Sequence, residues 1–100
     1  MMRKIVFSSR SKSQLDSLLN YLENKFSILT KKKFISKLDK SISIIQKDPD
    51  TFPKSNNSKM IRKCIISKQT TLYYRFNSQE IRLLSFFDTR QNPTKINKIK

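Results

Sequence analysis

The hydrophobic period of this chain changes near Lys59, and that change constrains the fold more than any other feature. Up to residue 47 the apolar side chains recur at helical spacing. After residue 58 they come in short β-branched and aromatic runs, MIRKCII, TTLYYRF and EIRLLSFF, separated by SKQ and NSQ. Runs this short with such brief connections read as an antiparallel meander of three strands. Upstream, KIVFS at residues 4–8 reads as a further short strand. The expected fold class is therefore α+β: an N-terminal strand, a two-helix hairpin, then a three-strand antiparallel meander completing a twisted sheet.

The helical part resolves into two segments. Ser11 followed by Gln14 fits a capping box, and Leu15, Leu18, Leu19, Leu22 and Phe26 then mark one face of a helix over residues 11–26. A second helix is expected over 28–47, with Phe34, Ile35, Leu38, Ile42 and Ile45 on its apolar face and six lysines on the rest. Ser27 or Thr30 supplies its cap, and Asp48-Pro49 stops it because proline restricts the residue before it and has no N–H for the ladder. DPDTFPKSNNS, residues 48–58, is loop chemistry with Phe52 as an anchor into the core. The chain has no glycine, so Asn77 is the expected positive-φ turn residue between the last two strands.

Alternation sorts the strand side chains. Leu72, Tyr74 and Phe76 fall on one face, Thr71, Tyr73 and Arg75 on the other; in the last strand Ile81, Leu83, Ser85 and Phe87 oppose Arg82, Leu84 and Phe86. One face takes the helices and the other keeps arginines. FFDTRQNP follows at residues 86–93: Phe86 and Phe87 finish the strand, Asp88 caps it or pairs with Arg90, and Pro93 ends ladder pairing. The tail, TKINKIK, is basic and without pattern, and is expected to be mobile.

One hundred residues suffice for one domain, spanning 1–100, with a small, aromatic core built on seven Phe and three Tyr. With 22 Lys and Arg against seven Asp and Glu, the formal net charge is +15, which points to a polyanion or an acidic protein as partner. A merely biased Lys, Asn, Ile and Ser composition is the alternative. The chain has no His, which excludes a Ser-His-Asp arrangement and the usual zinc sets, and it has no Gly-rich loop to cradle a nucleotide phosphate. The acidic residues are scattered, so neither a metal nor a cofactor is expected. Cys64 stands alone, with no partner for an internal disulfide, and reads as a small buried hydrophobe. The first apolar run, Ile5 to Phe7, is too short for a signal peptide or a span. A cytoplasmic location with no membrane partner is expected.

What remains as site material is basic. Arg62 and Lys63, Arg75, Arg82 and Arg90, with Lys59, are the candidate target- or phosphate-binding residues; Arg62, Arg75 and Arg90 are the catalytic candidates, because guanidinium groups pair phosphates bidentately. Tyr73 and Tyr74 are placed to stack a base. The competing reading is that arginines cover the solvent face of a sheet and tyrosines fill its edges. For LTKKKFISKLDK on the second helix, contact with nucleic acid or an acidic membrane stands beside a plain solvated face.

The order of elements, with SSRSKSQLDSLLNYLENKF, FISKLDKSISIIQKDPDTFPKS, MIRKCIISKQTTLYYRF and IRLLSFFDTRQNP, resembles the RelE/ParE superfamily of toxins from type II toxin–antitoxin systems, over about residues 3–96. The strand pair around LYYRF and the terminal DTRQNP are the most specific pieces. The resemblance implies a microbial-RNase-like α+β fold, an antitoxin partner, and one of two targets: messenger RNA in the ribosomal A site for RelE-like members, DNA gyrase for ParE-like ones. Carried over residue by residue, the arginine after the last strand of the ribonucleases falls on Arg90 and a basic residue of their second strand on Arg62. Three further positions depart, falling on Cys64, Thr71 and Ile96, where the family has a basic residue, an arginine and an aromatic acid or base. Arg75, on the face of Thr71, is the one substitute for the missing arginine. The expected function is accordingly a ParE-like toxin that binds DNA gyrase and is neutralised by an acidic antitoxin. The alternatives are a RelE-type mRNA endoribonuclease and a non-toxic small basic nucleic-acid-binding protein.

Overall fold

The computed structural model describes residues 2–55 and 58–91. Asn92, Pro93, Ile96 and the tail from 94 lie outside the described residues, as does the side chain of Lys59. The chain runs β1 (Lys4–Phe7), α1 (Ser9–Lys25), α2 (Ile28–Lys47), β2 (Lys54–Ser55), β3 (Ser58–Ile65), β4 (Thr70–Phe76) and β5 (Glu80–Asp88). The strands form one sheet in the order β1-β5-β4-β3-β2. β3, β4 and β5 are the expected antiparallel meander. β1 joins parallel to β5, pairing Ile5 with Ile81, so the sheet is mixed; the helical hairpin is the crossover that a parallel return requires. Lys54 and Ser55, expected in a loop, form a two-residue edge strand on β3.

Both helices cover one face. Leu18 and Leu22 of α1, with Phe34, Leu38 and Ile45 of α2, bury against Cys64, Ile66, Leu72, Tyr74, Ile81, Leu83 and Phe86. The 48–53 loop is held from below: Phe52 meets Tyr74 edge-on at 6.5 Å, and the fully buried Tyr74 hydroxyl donates to Pro49 O at 2.7 Å. Burial raises the Tyr74 pKa, so the phenol remains a donor at any physiological pH.

Three local expectations are corrected. The cap of α1 is Ser8, not Ser11: Ser8 Oγ accepts from Ser11 N at 3.0 Å, and Gln14 serves another purpose. Ser27 does cap α2, accepting from Thr30 N at 3.0 Å. Asn77 needs no positive φ, and no described residue has one; its side-chain oxygen accepts from Gln79 N and Glu80 N at 2.8 and 2.9 Å, building an Asx turn from ordinary backbone.

The third correction concerns β5. Tyr73 pairs with Ser85 but Tyr74 with Leu83, so Leu84 is an extra residue, a β-bulge. Beyond it the inward phase switches. Ile81 and Leu83 are buried as alternation requires, and then Phe86 and Asp88 are buried in place of Ser85 and Phe87. The N-terminal end of α1 secures the bulge: the Ser8 cap donates its Oγ hydrogen to Leu84 O at 2.9 Å, and Gln14 Oε1 of the second turn accepts from Phe86 N at 2.8 Å. β1 ends at Phe7, so these side chains take the hydrogen bonds a longer β1 would have made.

Candidate functional site

The five candidate cations occupy three places. Lys63, Arg75 and Arg82 share the sheet face turned away from the helices, together with Tyr73, by alternation from the buried Cys64, Leu72, Tyr74, Ile81 and Leu83. Lys63 lies directly opposite Tyr73, and Arg75 directly opposite Arg82. Two like charges facing each other across a ladder destabilise it unless an anion neutralises them. Arg82 is answered by Glu80 at 3.0 Å, whereas Arg75 is exposed and makes no ion pair among the described residues. Beside them lies a recess of about 370 Å³ lined by Met60, Arg75, Phe76, Asn77, Glu80 and Arg82.

Arg62 is on the other face. Its Nη1 donates to Phe52 O at 2.7 Å, its Nη2 meets Asp50 Oδ1 at 2.7 Å, and its guanidinium lies 5.7 Å over the Phe76 ring. These contacts make Arg62 a clamp on the proline loop. Tyr74, read from sequence as a possible base platform, is fully buried and holds the same loop.

Arg90 sits just past β5, where the bulge has turned Asp88 inward. Asp88 Oδ1 accepts from Arg90 N at 2.9 Å and from Nε at 3.1 Å, while Oδ2 accepts from Nη2 at 2.7 Å and from the Thr70 hydroxyl. Burial pushes the Asp88 carboxyl up, but these hydrogen bonds and the Arg90 charge outweigh it and hold it below the usual carboxylate range. The bonds to Asp88 raise the Arg90 pKa in turn. The guanidinium also lies 5.8 Å over the Phe26 ring at the tip of the helical hairpin.

Arg75 and Arg90 are at opposite ends of the sheet. Thr70 pairs with Asp88, and Arg75 is five residues along the same strand, about 17 Å away at strand rise. Arg75 shares a face with Thr71, as expected, but stands about 13 Å beyond it. Cys64, at a position where the ribonucleases carry a basic residue, is a core thiol whose pKa is raised by burial. The pairing of Asp88 with Arg90 was readable from DTR; the bulge that makes it possible has no signal in EIRLLSFFD. Among the described residues no three acidic or Cys side chains gather as a metal set, and no helix is long and apolar enough to cross a membrane.

No family model and no curated protein sequence matches the chain. Solved structures do. A chain of the chromosomal ParDE TA system from P. aeruginosa superposes with a TM-score of 0.72 at 11% identity, over 87% of this chain and 96% of that one. A chain of the E. coli DinJ-YafQ toxin-antitoxin complex gives 0.63 at 11% identity, over 91% and 97%. The YoeB dimer from Staphylococcus aureus gives 0.62 at 17% identity, over 85% and 94%. The chain thus has the fold of the RelE/ParE superfamily, in agreement with the resemblance of its sequence.

Proposed function

We propose that this chain is the toxin of a type II toxin–antitoxin pair, acting by binding DNA gyrase and neutralised by an acidic antitoxin. The toxin half is supported by a fold shared with chains of the ParDE and DinJ-YafQ systems, the second of them solved as a toxin-antitoxin complex. The antitoxin half is supported by the net charge of +15, which steers an acidic segment onto this surface. Fold alone does not choose a target.

The observation that favours binding over RNA cleavage is that both arginines matching ribonuclease positions are already committed to carboxylates, Arg62 to Asp50 and Arg90 to Asp88. Cleavage through the ribose 2′-hydroxyl needs a base, an acid and donors aimed at the phosphate as its charge grows. An arginine neutralised by an aspartate 2.7 Å away stabilises that charge poorly. Thr71 offers no cation, and the Cys64 thiol is buried and protonated at neutral pH. The surface left for a target is the open sheet face with Lys63, Tyr73, Arg75 and Arg82, where Arg75 has no ion pair among the described residues.

The test runs two reactions with the purified protein. Gyrase supercoiling should be inhibited or arrested at cleaved DNA, while a reconstituted translation reaction keeps its messenger RNA intact. Messenger RNA cut at codon boundaries would replace this reading with the endoribonuclease. Normal growth on high-level expression, with both reactions unaffected, would replace it with the non-toxic binding protein.

A further inference from the structure

The helical hairpin ends in an apolar tip that the fold leaves uncovered. α1 stops at Lys25 and α2 starts at Ile28, so Phe26 and Ser27 alone connect them. Phe26, Ile28 and Leu29 are 54%, 56% and 60% exposed, whereas the other exposed large apolar side chains among the described residues stand singly along the chain. Single exposed side chains need no explanation, but three within four residues mark a contact surface. Phe26 is held edge-on to Tyr21 at 6.0 Å and under the Arg90 guanidinium. A layer of cations follows the tip. Lys32 comes four residues after Ile28 and Lys33 four after Leu29, so each lysine stands on the same row of α2 as an apolar tip residue, one turn or about 5 Å along the axis. Helical side chains lean toward the N-terminus, which directs both lysine stems back toward the tip. Lys25, Lys32 and Lys33 are exposed, and the one carboxylate between residues 17 and 38, Glu23, is spent on Lys31 at 2.8 Å. Lysines this near a helix N-terminus oppose its dipole, and the first turn of α2 has no acidic residue to offset them.

From this geometry we infer that the hairpin tip is a peripheral contact for an anionic lipid surface. Phe26, Ile28 and Leu29 enter the boundary between headgroups and acyl chains, and Lys25, Lys32 and Lys33 meet the lipid phosphates. Interfacial helices bury their apolar side by roughly 5–10 Å, which matches the one-turn step between the apolar and the cationic layer. Lysine stems lie along apolar surface while their ammonium groups stay in the polar layer. The tip residues line none of the recesses bounded by Arg10 and Phe87, by Met60 and Arg82, or by Thr30 and Arg90. A projection with no cleft beside it suits a fluid surface, which deforms to receive it, better than a folded partner, which must carry a matching pocket. Apolar insertion and polybasic attraction are each weak, and together they give reversible binding. The contact is peripheral, since among the described residues no helix is long and apolar enough to cross a membrane. It assigns the first half of LTKKKFISKLDK to an acidic membrane, against the expectation of no membrane partner, and holds whether or not the chain is a toxin.

The test is flotation of the purified protein with vesicles of equal parts phosphatidylcholine and phosphatidylglycerol, against vesicles of phosphatidylcholine alone. The protein should float with the first and not with the second. Ile28→Ser with Leu29→Ser should weaken binding about tenfold at unchanged net charge, and Lys32→Gln with Lys33→Gln about thirtyfold. Lys40→Gln with Lys47→Gln removes the same charge from exposed sites toward the other end of α2 and should weaken it much less. The chain has no Trp, so Leu29→Trp supplies a single reporter whose emission should move to the blue on the anionic vesicles. Failure to float, equal losses in the two lysine double variants, or emission that stays put while the protein floats would overturn insertion at the tip. An aspartate-rich peptide that moves the emission as far as the vesicles do, and displaces the protein from them, would make the tip a protein-docking surface instead.

Discussion

Asp88 ties Thr70 at the start of one strand to Arg90 beyond the end of the next through a single buried carboxylate. Replacing it as Asp88→Asn keeps a hydrogen bond for Thr70 but removes the charge that pairs Arg90, and should cost roughly 2 kcal/mol at pH 7. The folded carboxyl titrates below its unfolded value, so its contribution is complete above about pH 4 and is lost as the pH falls through the lower, folded pKa. Urea unfolding of the two proteins should therefore converge in acid. A difference that stays constant with pH would show that the ion pair is not its source. The sequence pattern DTR suggested this pair. It gave no sign that Arg62 is equally committed, because Asp50 and Phe52 approach it only when the proline loop folds back onto β3.

At the level of elements, the helices and the meander follow from period alone, while the details that position the site do not. Ser8, Ser9 and Ser11 all precede or begin α1, and the spacing of Ser11 to Gln14 made the later cap plausible; Gln14 is instead drawn to Phe86 N, a partner 72 residues away. Ser8 caps α1 and also holds the bulge carbonyl of Leu84, so Ser8→Ala should cost more than the ~1 kcal/mol of an ordinary cap, read as a lower denaturation midpoint with unchanged m-value. On the open face the like-charged pair of Arg75 with Arg82 predicts the opposite effect. Arg75→Gln should stabilise the fold by about 0.5 kcal/mol in low salt while weakening target binding. Loss of both stability and binding would mean that Arg75 is part of the sheet's packing, not an exposed contact.

Across the whole molecule, the excess of 15 positive charges opposes compaction. Raising ionic strength should therefore raise the melting temperature; about 1 kcal/mol of relieved repulsion corresponds to about 5 °C for a domain of this size. A melting temperature that falls with salt would show that attractive pairs dominate. The sequence by itself determined the class of fold, because helical and strand periodicities are local and each buried face is spelled out within a few turns or pairs. It determined the strongly positive charge of the molecule. It also placed Arg75 and Arg82 on the face away from the helices, since alternation before the bulge is unbroken. Only the tertiary structure decided that β1 runs parallel to β5 and that Arg62 clamps a loop. The inward turn of Asp88 was decided there too, because one unpaired residue, Leu84, reverses every later side chain and is specified by Ser8 and Gln14 from the far end of the chain. Such contacts join residues remote in sequence, and periodicity within a strand carries no record of them.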